Sequence, residues 1–340
     1  MPDAMLLRSG ADWHIDPAEV RTFAAYLEKE RQPVGHPIPV QHFRAYAGWF
    51  QKEYGLTANP ALARALRRRN GIFEVELEDG QCQRAHRVLL ALGFAPFAHV
   101  PAELTAQIPV GRWSHTCDTI RFDFVRGRRC LIVGGRQSAH EWAALIREAG
   151  ATEVHVSHRH PSPRFAPSDW SWASAMVRAI GENPGWWRNQ PPAAQEAICQ
   201  RFWAEGRLKL EPWLWPRLDH DDVHRWPNTR LASCTESPGG RLRVVLDSGA
   251  TFEVDHVIMA TGYRVNLHNV PFLARGGLLD ELAMADGCPT LDAHFQSSIP
   301  GLYFSGLPAT RDFGPFFGFT LGCPAAGKVI VEHVRVTAQS

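Results

Sequence analysis

Apolar residues keep a helical spacing near the amino end of the chain and change to strict alternation after Gly71. Asp16-Pro17-Ala18-Glu19 predicts a helix start, with Asp16 as N-cap, proline in the first turn and Glu19 completing a capping box. Val20, Phe23, Ala24 and Leu27 then share one face. A second amphipathic helix over about residues 40–54 presents Phe43, Tyr46, Ala47 and Phe50. Beyond Gly71 the period is two, with Phe73, Val75 and Leu77 on one side of a strand.

That strand opens a segment that occurs twice. One copy runs Leu77-Glu78-Asp79-Gly80 to Val88-Leu89-Leu90-Ala91-Leu92-Gly93, the other Leu246-Asp247-Ser248-Gly249 to Val257-Ile258-Met259-Ala260-Thr261-Gly262. In both, two short alternating strands meet at a turn glycine, and each glycine pair is 13 residues apart. The repetition predicts two domains of one design. Between the copies, residues 129–150 read as strand, glycine turn, helix and glycine stop, and residues 152–159 as a further strand. Together they form the βαβ core of a doubly wound nucleotide domain.

Residues 161–230 interrupt this pattern with proline-rich turns and eight of the twelve tryptophans. Packing favours a small helical subdomain with an aromatic core. A lid or wall for an apolar or aromatic substrate is the sharper alternative. After the second copy, residues 263–340 supply a strand near Leu302, a glycine and phenylalanine loop, and a last helix.

The totals narrow the chemistry. A length of 340 residues suits about two domains, and a net charge of +1 gives no electrostatic case for nucleic acid or an acidic membrane. Small molecules are the expected partners. The seven cysteines form no C-x-x-C, and the 16 histidines form no metal-spaced array, so free thiols, a cytoplasmic setting and no metal are expected. No apolar stretch is long enough to span a bilayer, and no signal peptide opens the chain.

Cys130-Leu131-Ile132-Val133-Gly134-Gly135-Arg136-Gln137-Ser138-Ala139 is an apolar strand entering a helix through a glycine turn, the usual seat of a pyrophosphate. Gly134 permits the tight turn, and Ala139 permits close packing of helix on strand. Arg136 stands where the G-x-G-x-x-A pattern has its second glycine. Either the nucleotide is displaced, or the guanidinium itself contacts phosphate. The next strand ends Ser157-His158-Arg159-His160, with no carboxylate to take a ribose 2′-hydroxyl, which favours NADPH over NADH. Ala260, Thr261 and Gly262 are small enough to let the chain cross beside a bound nucleotide.

Asp255-His256-Val257-Ile258-Met259-Ala260-Thr261-Gly262-Tyr263 resembles the A-T-G-Y segment of flavoprotein monooxygenases with two dinucleotide domains, a group that includes flavin-containing and N-hydroxylating enzymes. The resemblance extends from Met5-Leu6-Leu7-Arg8-Ser9 to the last helix. It implies an α/β fold of two Rossmann-like domains with β-meanders: residues 1–110 and 263–340 as an FAD domain, and 111–262 as the NAD(P)H domain carrying the insert. Gly111-Arg112-Trp113-Ser114-His115-Thr116 is similar to the G-x-x-x-H-S/T part of the family fingerprint and makes His115 the candidate for organising the nicotinamide side. Gly93, Gly306, Phe313, Gly314 and Pro315 fall where the family contacts FAD, with Gly306-Leu307 in place of the usual G-D pair. Phe313 to Gly318 is equally an aromatic core plug, and the two readings are compatible.

No strand, glycine turn and helix precede residue 72, so the first domain is expected to be amino-terminally incomplete and to bind FAD weakly by itself. The resemblance implies hydride transfer from NADPH to FAD and oxygenation of a small organic substrate by O2. The alternatives are a reductase on the same scaffold and a degenerate NADP-binding protein without catalysis.

Overall fold

The two sequence copies fold alike. In the computed structural model, which describes residues 1–33 and 35–339, Leu242–Leu246 turns at Gly249 into Thr251–Val254 and leads into the strand His256–Met259. Ile72–Leu77 turns at Gly80 into Cys82–Ala85 and leads into Val88–Leu90. The glycines correspond in conformation: φ is 83° at Gly80 and 87° at Gly249, 67° at Gly93 and 84° at Gly262. All four occupy the left-handed region, where a side chain is strained.

Each meander has a third strand, Leu231–Glu236 in the second unit and Ala63–Arg69 in the first. The latter reads Ala-Arg-Ala-Leu-Arg-Arg-Arg, so its alternation is hidden by arginines. Cross-strand ion pairs absorb part of that charge: Arg67 meets Glu76 at 2.8 Å, and Arg69 approaches Glu74 at 3.9 Å.

The second unit closes a five-stranded parallel sheet, in the order Val223–Pro227, Glu153–His158, Arg129–Val133, His256–Met259, Trp113–His115. Successive side chains point to opposite faces. Cys130, Ile132 and Ile258 pack under the helix Gln137–Glu148, whereas Leu131, Val257 and Met259 pack on the meander. The result is three layers, helix, sheet and meander, and an apolar run in each central strand.

Val223–Pro227 lies inside the segment 161–230 that was expected to be a helical insert, and it is an edge strand of this sheet. The tryptophan-rich segment is not a subdomain with its own core either. Its helix Ser171–Glu182 sends Ala173, Met176, Val177 and Ile180 into one core with Phe295, Phe304, Phe313 and Phe316. Trp170 and Trp172 lie edge-on to Phe316 at 5.9 and 5.0 Å.

The first amino-terminal helix begins later than its capping box suggests. It spans Phe23–Lys29 with Thr22 as N-cap, because the carboxylate of Asp16 is spent on a turn, accepting from the backbone N–H of Ala18, Val20 and Arg21. The second helix, Val40–Glu53, buries Tyr46 against Phe23 and Leu27.

In the first unit Val88–Leu90 pairs in parallel with Leu302–Phe304. Its counterpart His256–Met259 has a strand on each side; Val88–Leu90 has none on its other side among the described residues, and Leu89 is 48 % exposed.

The short helix Pro271–Gly276 lies directly on Ala63–Arg69, and a Cβ at Gly276 would fall 1.5 Å from the Leu66 carbonyl oxygen. Gly276→Ala is therefore expected to destabilise the fold by about 2–3 kcal/mol or more, since backbone cannot yield as a side-chain tip can. Urea unfolding checks this; an unchanged midpoint would show that the helix does not press on the strand.

Candidate nucleotide-binding site

Three strand ends converge at the glycine turn. Gly134 N–H donates to the Ser157 carbonyl at 2.9 Å, and Ala260 N–H donates to the Val133 carbonyl at 2.9 Å. A Cβ at Gly134 (φ 143°) would lie 2.4 Å from the Ala260 carbonyl oxygen, and one at Gly135 would lie 2.3 Å from the His158 ring. Both glycines are thus required by packing, before any ligand is considered. The helix that follows has no side-chain cap and no acid in its first turn, so its free N–H groups and partial positive charge are left for an anion.

A cleft of about 520 Å³ opens over this turn. Its walls carry four arginines, Arg136, Arg159, Arg207 and Arg230, and one carboxylate, Glu103. Among the described residues none of the four guanidiniums forms an ion pair. Burial, then the charges of Arg207 and Arg159, push Arg136 below its ordinary value, as expected of cations gathered without a counter-ion. His158 donates from Nδ1 to the His160 carbonyl at 2.8 Å, which leaves Nε2 a buried acceptor without a donor.

Gly134, Gly135, Arg136, Ser138, His158, Arg159, Ala260, Thr261 and Gly262 all line this one cleft. Gln137 and Ala139 do not. Gln137 is turned inward, accepting from Glu211 N–H at 3.2 Å, and Ala139 is sealed beneath the helix. His115 is fully buried; its Nδ1 accepts from Cys117 N–H at 3.2 Å, so Nε2 carries the proton and donates to the Gly262 carbonyl at 3.1 Å. It fixes the strand end that lines the cleft rather than facing the cleft itself.

The flavin candidates lie apart from this cleft. Gly93 and Gly306 have positive φ and open space where a Cβ would go. Phe313 is buried and stacked on Phe295 at 3.5 Å, and a Cβ at Gly314 would lie 3.0 Å from the Trp187 ring, so these two belong to the core plug. Pro315 opens the turn Pro315–Gly318.

Sequence reasoning missed Trp203 and Arg207, on the helix Pro192–Arg207, and Arg230. They come from segments distant in sequence, and no spacing rule joins them to the glycine turn. The one available signal was Trp203 as a member of the tryptophan-rich segment, where a lid or wall was the alternative reading.

This fold and cleft define an α/β protein of the two-dinucleotide-domain flavoprotein type. More narrowly, the chain belongs to the L-lysine 6-monooxygenase/L-ornithine 5-monooxygenase family, which it matches over residues 16–265. The fold is shared with an ornithine N-hydroxylase from Kutzneria sp. 744, at TM-score 0.76 and 15% identity, covering 98% of this chain and 88% of that one. It is shared also with ornithine hydroxylase from Pseudomonas aeruginosa, at TM-score 0.72 and 16% identity, covering 97% and 87%. In sequence the chain is 25% identical to an FAD-dependent urate hydroxylase of Xanthomonas campestris pv. campestris, over 59% of this chain and 47% of that protein. It is 26% identical to a ferredoxin–NADP reductase of Thermus thermophilus, over 72% and 59%. The chain thus spans about half the length of the curated relatives it matches. Among the described residues no helix is long and apolar enough to cross a membrane.

Four histidines around the sheet are held neutral by burial: His140, His158 and His256 are pushed down to about 4 and His155 to about 3. Below the ordinary value near 6.5 the unfolded chain binds protons that the fold refuses, so stability falls as pH drops from about 6.5 toward 4. Burial raises Glu141 to about 7, which works in the opposite direction but through one group. The urea midpoint is expected to be lower at pH 5 than at pH 7. An equal or higher midpoint at pH 5 would mean that these imidazoles are not buried neutral.

Proposed function

We propose that the protein is an NADPH-dependent flavoprotein monooxygenase of the N-hydroxylating type, acting with O2 on a small organic amine. The observation that carries this reading is the glycine turn at the sheet's switch point beneath a cleft with four unpaired arginines, a receptor for a ligand of several phosphates. Family membership supplies the reaction class, and the ornithine hydroxylases that share the fold point to an amino-acid amine.

The chain's own groups have separable tasks. The amino end of Gln137–Glu148 receives the pyrophosphate. Arg159, at the end of Glu153–His158, takes the 2′-phosphate, with Arg230 beyond the end of the adjoining strand. His115 holds the Gly262 carbonyl, and Thr261 Oγ1 is tied to the His99 carbonyl, so the strand end beside the nucleotide is rigid. Trp203 narrows the cleft against water.

Bound FAD would supply hydride acceptance and oxygen activation. The residues of this chain fit it at one end only. Gly93 and Gly306 leave open, side-chain-free backbone, but among the described residues no strand, glycine turn and helix flank the other edge of Val88–Leu90 to receive the second pyrophosphate.

The test is a titration of the 340-residue protein with NADP+ and NAD+, followed by NADPH oxidation with added FAD and L-ornithine or L-lysine. NADP+ is expected to bind more tightly, and Arg159→Ala to cost about tenfold for NADP+ and little for NAD+. Hydroxylated product equal to NADPH consumed supports the monooxygenase. Consumption without product would assign a reductase, and tight NADP+ binding without consumption a nucleotide-binding protein.

A further inference from the structure

Arg136 departs from the glycine fingerprint, and the structure shows where its side chain goes. Its guanidinium lies over the Trp203 ring at 5.1 Å and donates from Nη1 to the Arg207 carbonyl at 2.5 Å. Arg207 lies over the same indole at 5.8 Å. Two guanidiniums therefore share one half-exposed tryptophan at the mouth of the cleft, on a helix that belongs to neither the glycine turn nor the sheet. The closing turn of that helix is held from the other side by Arg8, which donates to the Gly206 carbonyl at 3.0 Å and is paired with buried Glu211 at 3.0 Å.

A purely structural account makes Arg136 a cap on the carbonyl end of Pro192–Arg207, where a cation is favoured. That account uses one of its five donors. It leaves unexplained why Arg207, Arg159 and Arg230 crowd the same walls with a single glutamate among the lining residues. Cations placed on an indole face and denied carboxylates are arranged for an anion that arrives with the ligand.

We propose that Arg136, Arg207 and Trp203 form a pyrophosphate clamp, in which a guanidinium replaces the backbone approach that a second glycine would give and the helix Pro192–Arg207 supplies the facing jaw. Cap and clamp are the same contact: the bond to the Arg207 carbonyl pins Arg136 at the cleft wall and leaves its remaining N–H groups for the diphosphate. The clamp reads the diphosphate, common to NAD+ and NADP+, whereas Arg159 reads the 2′-phosphate. This inference rests on the nucleotide reading above and is separable from it.

The decisive variant is Arg136→Gly, which restores the ordinary fingerprint. If arginine is merely tolerated there, glycine should bind dinucleotide as well or better. A clamp instead requires Arg136→Gly to weaken NAD+ and NADP+ alike, by roughly tenfold or more, the worth of a charge-assisted hydrogen bond. Arg136→Lys should recover part of the loss, and binding should become less sensitive to salt in the glycine variant. Inorganic pyrophosphate should change the tryptophan fluorescence of the wild type, and the change should be absent from both Trp203→Phe and Arg136→Gly. Thermal unfolding of each variant reports folding independently. Equal or tighter dinucleotide binding by a folded Arg136→Gly would overturn the clamp, as would a loss confined to NADP+. Should the wild type bind neither dinucleotide, the nucleotide reading fails. The clamp then stands or falls on pyrophosphate alone: Arg136-dependent binding supports it, and its absence removes it.

Discussion

The architecture turns on one close approach. Gly134 lies against the Ala260 carbonyl, and Gly135 lies against the His158 ring, with no room for a methyl group at either position. These contacts bring the ends of Arg129–Val133, Glu153–His158 and His256–Met259 to one point. Everything that gives the cleft its character is attached there: the helix amino end, the arginine at the end of the second strand, and the small residues at the end of the fourth. His115 and Thr261 reinforce the same point from behind, each by a hydrogen bond to a backbone carbonyl. Because the site is built from strand ends fixed by buried sheet, its geometry is set before any ligand arrives.

Its electrostatics are set in the same way, and at some cost. Arg136 is partly desolvated beside two other guanidiniums, with no carboxylate to relieve it. Elsewhere the protein pairs its arginines readily, as with Arg217 between Glu141 and Glu148, or Arg147 with Asp222. The contrast separates two uses of the same side chain. Arg217 and Arg147 close seams between a helix and a neighbouring turn, whereas Arg136, Arg159, Arg207 and Arg230 surround an opening. A repulsion of this kind persists only where the surrounding fold holds the charges in place, here through the indole of Trp203 and the helix carbonyls beneath it.

Much of this was legible in the sequence, for identifiable reasons. The βαβ unit, the two meander copies and the nine-residue set lining the cleft follow from local rules, since period, turn glycine and strand end lie within a few residues of one another. Failures came where a side chain did work at long range. Asp16 looked like a helix cap because its neighbours fit the box, but its carboxylate closes a turn and takes Tyr54, just past the end of Val40–Glu53. Ala63–Arg69 was hidden because its arginines answer to glutamates on the adjacent strand. Val223–Pro227 was absorbed into the tryptophan-rich segment because its pairing partner is some seventy residues earlier. Phe313 and Gly314 are core because Phe295 and Trp187 occupy the space beside them, which no local pattern records.

The repeat itself makes the two halves comparable, and their difference is informative. His256–Met259 carries a strand on either side, and the glycine turn that serves it arrives with one of them, Arg129–Val133. Among the described residues Val88–Leu90 carries Leu302–Phe304 alone, although its turn glycine and its closing glycine share the conformation of those in the other copy. A parallel strand with one open side exposes unpaired backbone, and Leu89 is half-exposed at that place. Yet the core beneath it is extensive, gathering phenylalanines from the carboxyl-terminal loop and tryptophans from the middle of the chain. The first unit is thus held by packing from elsewhere in the chain rather than by its own sheet. One design thus ends at the glycine-turn cleft in one half and on the phenylalanine-rich core in the other.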